Sequence, residues 1–73
     1  MRKLTHVKIE GKEYPLKEGH RFIAQDKSGS WFSYPELPKI SCFFWYSSSL
    51  DESYLCTSHY KPINWKEELY ELY

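Results

Sequence analysis

The chain has 73 residues, fourteen of them aromatic, and its ten basic side chains balance ten acidic ones. This length (residues 1–73) allows one small domain in which burial is scarce, since a chain of about 60–70 residues hides only ~60% of the surface its unfolded form exposes. The neutral balance speaks against a uniformly nucleic-acid-binding domain, no apolar run approaches the ~20 residues that span a bilayer, and two cysteines are too few for a disulfide-built secreted scaffold.

Thr5 to Ile9 alternates, with Val7 and Ile9 on one face and His6 and Lys8 on the other. Glu10-Gly11-Lys12 supplies a turn, and Glu13-Tyr14-Pro15-Leu16 reads as a short second strand, placed at an edge because Pro15 cannot donate to a ladder. After the turn at Lys17-Glu18-Gly19-His20, Arg21–Asp26 and Ser30–Tyr34 form the best hairpin in the chain. Asp26-Lys27-Ser28-Gly29 suits a type I turn with Gly29 left-handed. Pairing through that turn puts Phe22, Ala24, Phe32 and Tyr34 on one side, with Ile23 and Trp31 on the other, so both sides carry apolar bulk. Pro35-Glu36-Leu37-Pro38 breaks the chain. Ile40–Ser47 reads as a third long strand, followed by a serine-rich turn from Ser47 to Ser53 and a return strand at Tyr54–Ser58. Asn64, with Glu67 three residues later, resembles a capping-box start, and Trp65, Leu69 and Leu72 recur at helical spacing. These elements predict an α+β domain: an antiparallel meander of four to five strands with one C-terminal helix, Trp65–Leu72, packed on one face. Trp65, Phe22, Phe32 and Phe44 are the expected core.

The charge is lopsided. Arg2, Lys3, Lys8, Lys12, Lys17 and Arg21 face only three acidic residues in positions 1–21, leaving +3 there and −3 in the remainder. One reading of this asymmetry is a single-stranded nucleic-acid surface, with Trp31, Phe43, Trp45 and Tyr46 as stacking platforms and Lys8, Lys12, Arg21 and Lys39 reaching phosphates. No Lys/Arg-Gly-aromatic motif of the common RNA-binding sheet accompanies it. Cys56-Thr57-Ser58-His59 has the spacing of a metal half-site, which Cys42 with His6 or His20 would have to complete. A second ligand cluster is missing from the pattern, and a buried free Cys otherwise serves as a small hydrophobe. Cys42 and Cys56 would face each other if the third strand and the return strand paired. His6, His20 and His59 show no convergence on a pocket, so no catalytic residue, metal or cofactor is assigned. The remaining reading is a non-catalytic protein-binding surface of an edge strand and surplus rings, with Trp31, Trp45, Tyr46, Tyr60 and Tyr73 as candidate contacts. Homodimerisation would be one way for so short a chain to bury more surface. Met1-Arg2-Lys3 is followed by no apolar signal segment, so the expected location is the cytoplasm.

Phe22-Ile23-Ala24-x-Asp26-x-x-Gly29-Ser30-Trp31-x-x-Tyr34, then Pro38, an aromatic block with Trp45, and a closing Asn64-Trp65-Lys66-x-x-Leu69 make residues 21–72 resemble a class of small phage-encoded accessory proteins. The chain departs from that pattern in the serine-rich turn after Tyr46 and in the basic strand pair before Lys17. The shared motifs are structural, so the resemblance carries over no active-site residue. It implies a non-enzymatic protein acting in a host bacterial cytoplasm, where it binds and redirects a host or phage protein.

Overall fold

Aromatic and β-branched residues occur here in short alternating runs, and strands are what such runs build. The computed structural model describes residues 2–73, with strands β1 (Arg2–Leu4), β2 (Lys8–Ile9), β3 (Lys12–Glu13), β4 (Phe22–Gln25), β5 (Ser30–Tyr34), β6 (Lys39–Ile40), β7 (Trp45–Tyr46), β8 (Ser53–Thr57) and β9 (Leu69–Leu72). A single turn of 3-10 helix, Trp65–Glu67, precedes β9. Five strands form the central sheet in the order β1-β9-β4-β5-β8, antiparallel except that β1 runs parallel to β9. β2–β3 and β6–β7 are separate two-stranded hairpins.

The β4–β5 hairpin is the centre of this arrangement. Phe22 pairs with Tyr34 and Ala24 with Phe32, the register that the alternation predicts. Its turn closes by Gly29 N–H donating to Asp26 O at 2.9 Å, with Gly29 at φ +96°. A side chain at Gly29 would also meet the Ser58 carbonyl at 2.8 Å, so glycine is required twice over.

Both faces of the sheet are covered. On the front, Ile23 and Trp31 pack with Val7 and Ile9 of the β2 segment, flanked by Tyr14, Tyr70 and Leu72. On the back, Ala24 and Tyr34 pack with Trp45 of β7 and Trp65 of the 3-10 turn, flanked by Phe22, Phe32 and Leu69. β8 carries one extra residue, Leu55, between the pairs Trp31–Cys56 and Phe32–Tyr54, and this bulge turns both Leu55 and Cys56 toward the front cluster.

The C-terminal helix is absent, and the fold is a nearly all-β one rather than α+β. Helical backbone begins after Asn64, as its position predicts, but Asn64 makes no side-chain cap and the turn ends at Glu67. An isolated helix of about eight residues is marginal in water. As a strand, the same segment fills a central slot and joins backbone to two neighbours, with Arg2 and Ile23 both opposite Tyr70. Trp65, Leu69 and Leu72 fit a helical stripe, but over so few residues the alternation of Leu69 against Tyr70 and Leu72 fits a strand equally well. The meander fails for the same reason, because β9 separates β1 from β4.

The expected long strand Ile40–Ser47 is likewise broken. Ser41 donates its hydroxyl to Phe44 O (3.0 Å) and accepts from the Phe43 and Phe44 N–H groups (3.3 and 3.2 Å). Its side chain thus supplies a turn in place of the ladder, and the chain folds back so that Lys39 pairs with Tyr46 and Ile40 with Trp45.

Candidate functional site

The β6–β7 hairpin is held to the sheet by Trp45. Its indole Nε1–H donates to Gln25 O (3.1 Å), its backbone N–H donates to Asp26 Oδ1 (2.9 Å), and its carbonyl accepts from the Tyr34 hydroxyl (3.3 Å). The ring meets Trp65 edge-on, centroids 6.4 Å apart. Burial raises the Asp26 carboxyl above its ordinary range, opposed by the Trp45 N–H, and burial also raises the Tyr34 phenol. Glu52 is raised by burial and by the Asp26 charge.

An anchored base of this kind presents its tip to solvent. Phe43 is 69% exposed and Phe44 48%, and Ile40 and Leu37 are exposed beside them in sequence. Phe44 and Tyr46 meet edge-to-face with centroids 6.3 Å apart. Phe44 is therefore a surface ring, correcting its place in the expected core. Trp31 and Trp45 are the reverse: read as surface contacts, they are 9% and 6% exposed and lie in the two core clusters. Tyr46 is half-buried, whereas Tyr60 and Tyr73 are exposed as expected but lie on the 58–63 segment and at the C-terminal end, away from β6–β7 in sequence.

The serine-rich turn is organised around one carboxylate. Glu36 Oε1 accepts from Ser47 Oγ (2.8 Å), Ser48 Oγ (3.2 Å) and Ser49 N (3.0 Å). Hydrogen bonds from Ser49, Ser47 and Ser48 hold this carboxyl below its ordinary range. Within the loop Leu50 adopts φ +61° and is 82% exposed, two unfavourable choices for a leucine.

Four of the six basic residues in positions 1–21 are ion-paired in three dimensions. Arg2 pairs with Glu68 (3.3 Å), Lys3 with Glu71 (3.8 Å), Arg21 with Glu71 (3.0 Å) and Lys17 with Asp51 (3.4 Å). Of the cations assigned to phosphate contact, Arg21 is thus engaged. Lys8 and Lys12 sit on the front hairpin, and Lys39 on the back one, so the four do not form one patch. Cys42 lies exposed at the β6–β7 turn while Cys56 packs toward the front cluster, and both are free thiols. They do not share a hairpin. Among the described residues no group of three or more His, Cys, Asp or Glu side chains is placed to hold a metal.

His20, Ser33 and Asp51 reproduce the connectivity of a hydrolytic triad. His20 Nδ1 lies 2.7 Å from Ser33 Oγ, and Nε2 lies 3.3 Å from Asp51 Oδ1 without the alignment of a hydrogen bond. Ser33 is completely buried in the middle of β5, with no opening through which a substrate could reach it. A nucleophile needs that access; the buried His20–Ser33 hydrogen bond instead ties the turn before β4 to β5, with the part-exposed Asp51 of the serine loop beside Nε2.

A cavity of about 380 Å³ opens on the front face, floored by Ile23 and Trp31 and roofed by β2. The roof turns tightly at Glu10 (φ +51°) and Gly11 (φ +81°), the conformation of a two-residue type I′ hairpin. Glu10 holds the hairpin tip down. Its carboxyl is lowered by the Ser58 hydroxyl and by the His59 N–H, the latter at 3.2 Å. This cavity was not legible as a site in the sequence. Of the tip, Phe43 was read there as a stacking platform and Phe44 as core, and the signal for the turn that exposes both is Ser41 two and three residues before them, a spacing suited to a side-chain-closed turn.

No helix among the described residues is long and apolar enough to cross a membrane. No family model, curated protein or solved structure matches the chain.

Proposed function

We propose that the protein is a non-catalytic binding module that engages a partner protein through the tip of the β6–β7 hairpin, with Ile40, Phe43 and Phe44 as the contacts. The observation that carries this reading is the pairing of an anchored base with an exposed apolar tip. Trp45 is fixed by three hydrogen bonds while the two preceding rings stay in water. Exposed neighbouring rings are costly to solvate and are what binding hot spots are made of. Holding them on a rigid hairpin lowers the entropy lost on association. The likeness to phage accessory proteins makes a bacterial host protein the first partner to seek, with the protein modulating or inhibiting it in the cytoplasm. Nucleic-acid binding draws no support from its four candidate cations, which are dispersed over separate hairpins and of which Arg21 is ion-paired.

The test compares Phe43→Ser/Phe44→Ser with Tyr73→Ser in affinity capture from bacterial lysate. Both variants should melt within a few degrees of the parent, since exposed substitutions change stability by less than about 0.5 kcal/mol each and 1 kcal/mol moves the melting point of a domain this size by about 4–8 °C. A protein retained by the parent and by Tyr73→Ser but lost with the double variant supports the reading. Equal retention by all three, or no retention by the parent, rejects it.

A further inference from the structure

The front cavity combines an apolar floor with an excess of hydrogen-bond acceptors. Gln25 is 1% exposed and lines it. Its Nε2 donates to the carbonyls of Gly29 (3.1 Å) and Tyr60 (3.2 Å), which uses both amide hydrogens and fixes the orientation of the amide, because both partners can only accept. Oε1 is left without a partner among the described residues, on a side chain that lines the cavity. Glu10 and Glu68 add two carboxylates to the same lining, against the Lys8 ammonium and the Arg2 guanidinium that pairs with Glu68. One corner already attracts a cation. The Arg2 guanidinium lies 5.3 Å from the centre of the Tyr70 ring and 3.3 Å from Glu68, on a ring that also packs against Trp31.

We propose that this cavity binds a small organic ammonium, its apolar body resting on Trp31 and Ile23 and its N–H donors directed to Gln25 Oε1 and the Glu10 and Glu68 carboxylates. The free Gln25 acceptor beside Glu10 selects a donor and disfavours an anion, because a carboxylate ligand would face the Glu10 charge and an amide oxygen it cannot use, Glu68 being paired with Arg2. The volume lies at the lower end of the range for small-molecule sites, which suits a ligand with one ring or a short alkyl chain. A free small molecule is favoured over an extended peptide, because Glu10 bridges to His59 and closes the trough that a continuing chain would need. This site lies on the face opposite the β6–β7 hairpin, so it stands independently of the partner-binding reading.

The test is an NMR titration of the intact protein with 2-phenylethylammonium, with 3-phenylpropionate and 2-phenylethanol as anionic and neutral counterparts. Saturable shifts are expected for the Trp31 indole N–H and the Gln25 side-chain amide, with the Trp65 indole on the opposite face unmoved. The ammonium should bind roughly five- to tenfold more tightly than either counterpart, the scale of one charge-assisted hydrogen bond. Glu10→Gln should remove most of that preference while keeping an acceptor for the His59 N–H, and Glu68→Gln gives a second reading should the first variant fail to fold. No saturable shift at Trp31 and Gln25, equal affinity for the three probes, or a preference unchanged in both variants would each overturn the proposal.

Discussion

Single residues here carry unusually specific duties. Gly29 was legible in the sequence as a left-handed turn position, but its second duty, leaving room for the Ser58 carbonyl, was not, because that contact comes from a segment about thirty residues away. Gly29→Ala should cost about 1–2 kcal/mol from the positive φ alone, with the close contact adding to it; urea unfolding would measure the loss. The carboxylates divide into two groups by environment. Asp26 and Glu52 have raised carboxyl values in the fold, so their ionised forms weaken it, and stability should rise as pH falls through those raised values. Glu36 and Glu10 are lowered, so the stability they contribute is present above the ordinary carboxylate range and is lost as pH falls through their folded values. Thermal melting should therefore peak at mildly acidic pH. Asp26→Asn should flatten the limb above the peak and Glu36→Gln the limb below it. A monotonic profile in the parent would contradict this assignment.

At the scale of elements, the sequence was readable where local pattern and tertiary placement agree. Phe22–Gln25 and Ser30–Tyr34 alternate and are joined by a turn with its own chemistry, so nothing competes with the hairpin. It was unreadable where a local signal is outvoted. Residues 65–72 have a helical start and a helical stripe, yet a strand here satisfies two neighbouring backbones at once. Ser41 outvotes the strand-forming rings after it by offering a hydroxyl at the right spacing. Tyr70 distinguishes the two readings of the C-terminal segment. In the expected helix it would lie off the buried stripe, whereas in β9 its ring packs 6.0 Å from Trp31. Tyr70→Ala should cost roughly 1–3 kcal/mol in urea unfolding, the scale of a large ring losing its burial. A change within about 0.5 kcal/mol, as for an exposed site, would restore the helix.

For the whole molecule, the consequence is a sheet with no bare face. So few residues can cover both sides only because each hairpin spends its large side chains inward: Val7 and Ile9 on the front, Trp45 on the back. The cost is that several rings are left over: Tyr54, Tyr60 and Tyr73 lie exposed elsewhere, while Phe43 and Phe44 sit exposed together at the β6–β7 turn. Charge follows the same logic. The basic beginning and acidic end of the chain meet where β1 lies along β9, and the sequence-wide asymmetry becomes a set of surface ion pairs, each worth about 0–1 kcal/mol. What decides between this molecule and one with an aromatic binding face is which rings touch water. Hydroxyl-radical footprinting of the native protein, read by mass spectrometry, reports that directly. Oxidation at Phe43 and Phe44, with Trp31, Trp45 and Trp65 protected until the protein is unfolded, is the predicted pattern. Rapid native-state oxidation of Trp31 or Trp45, with Phe43 and Phe44 protected, would contradict it.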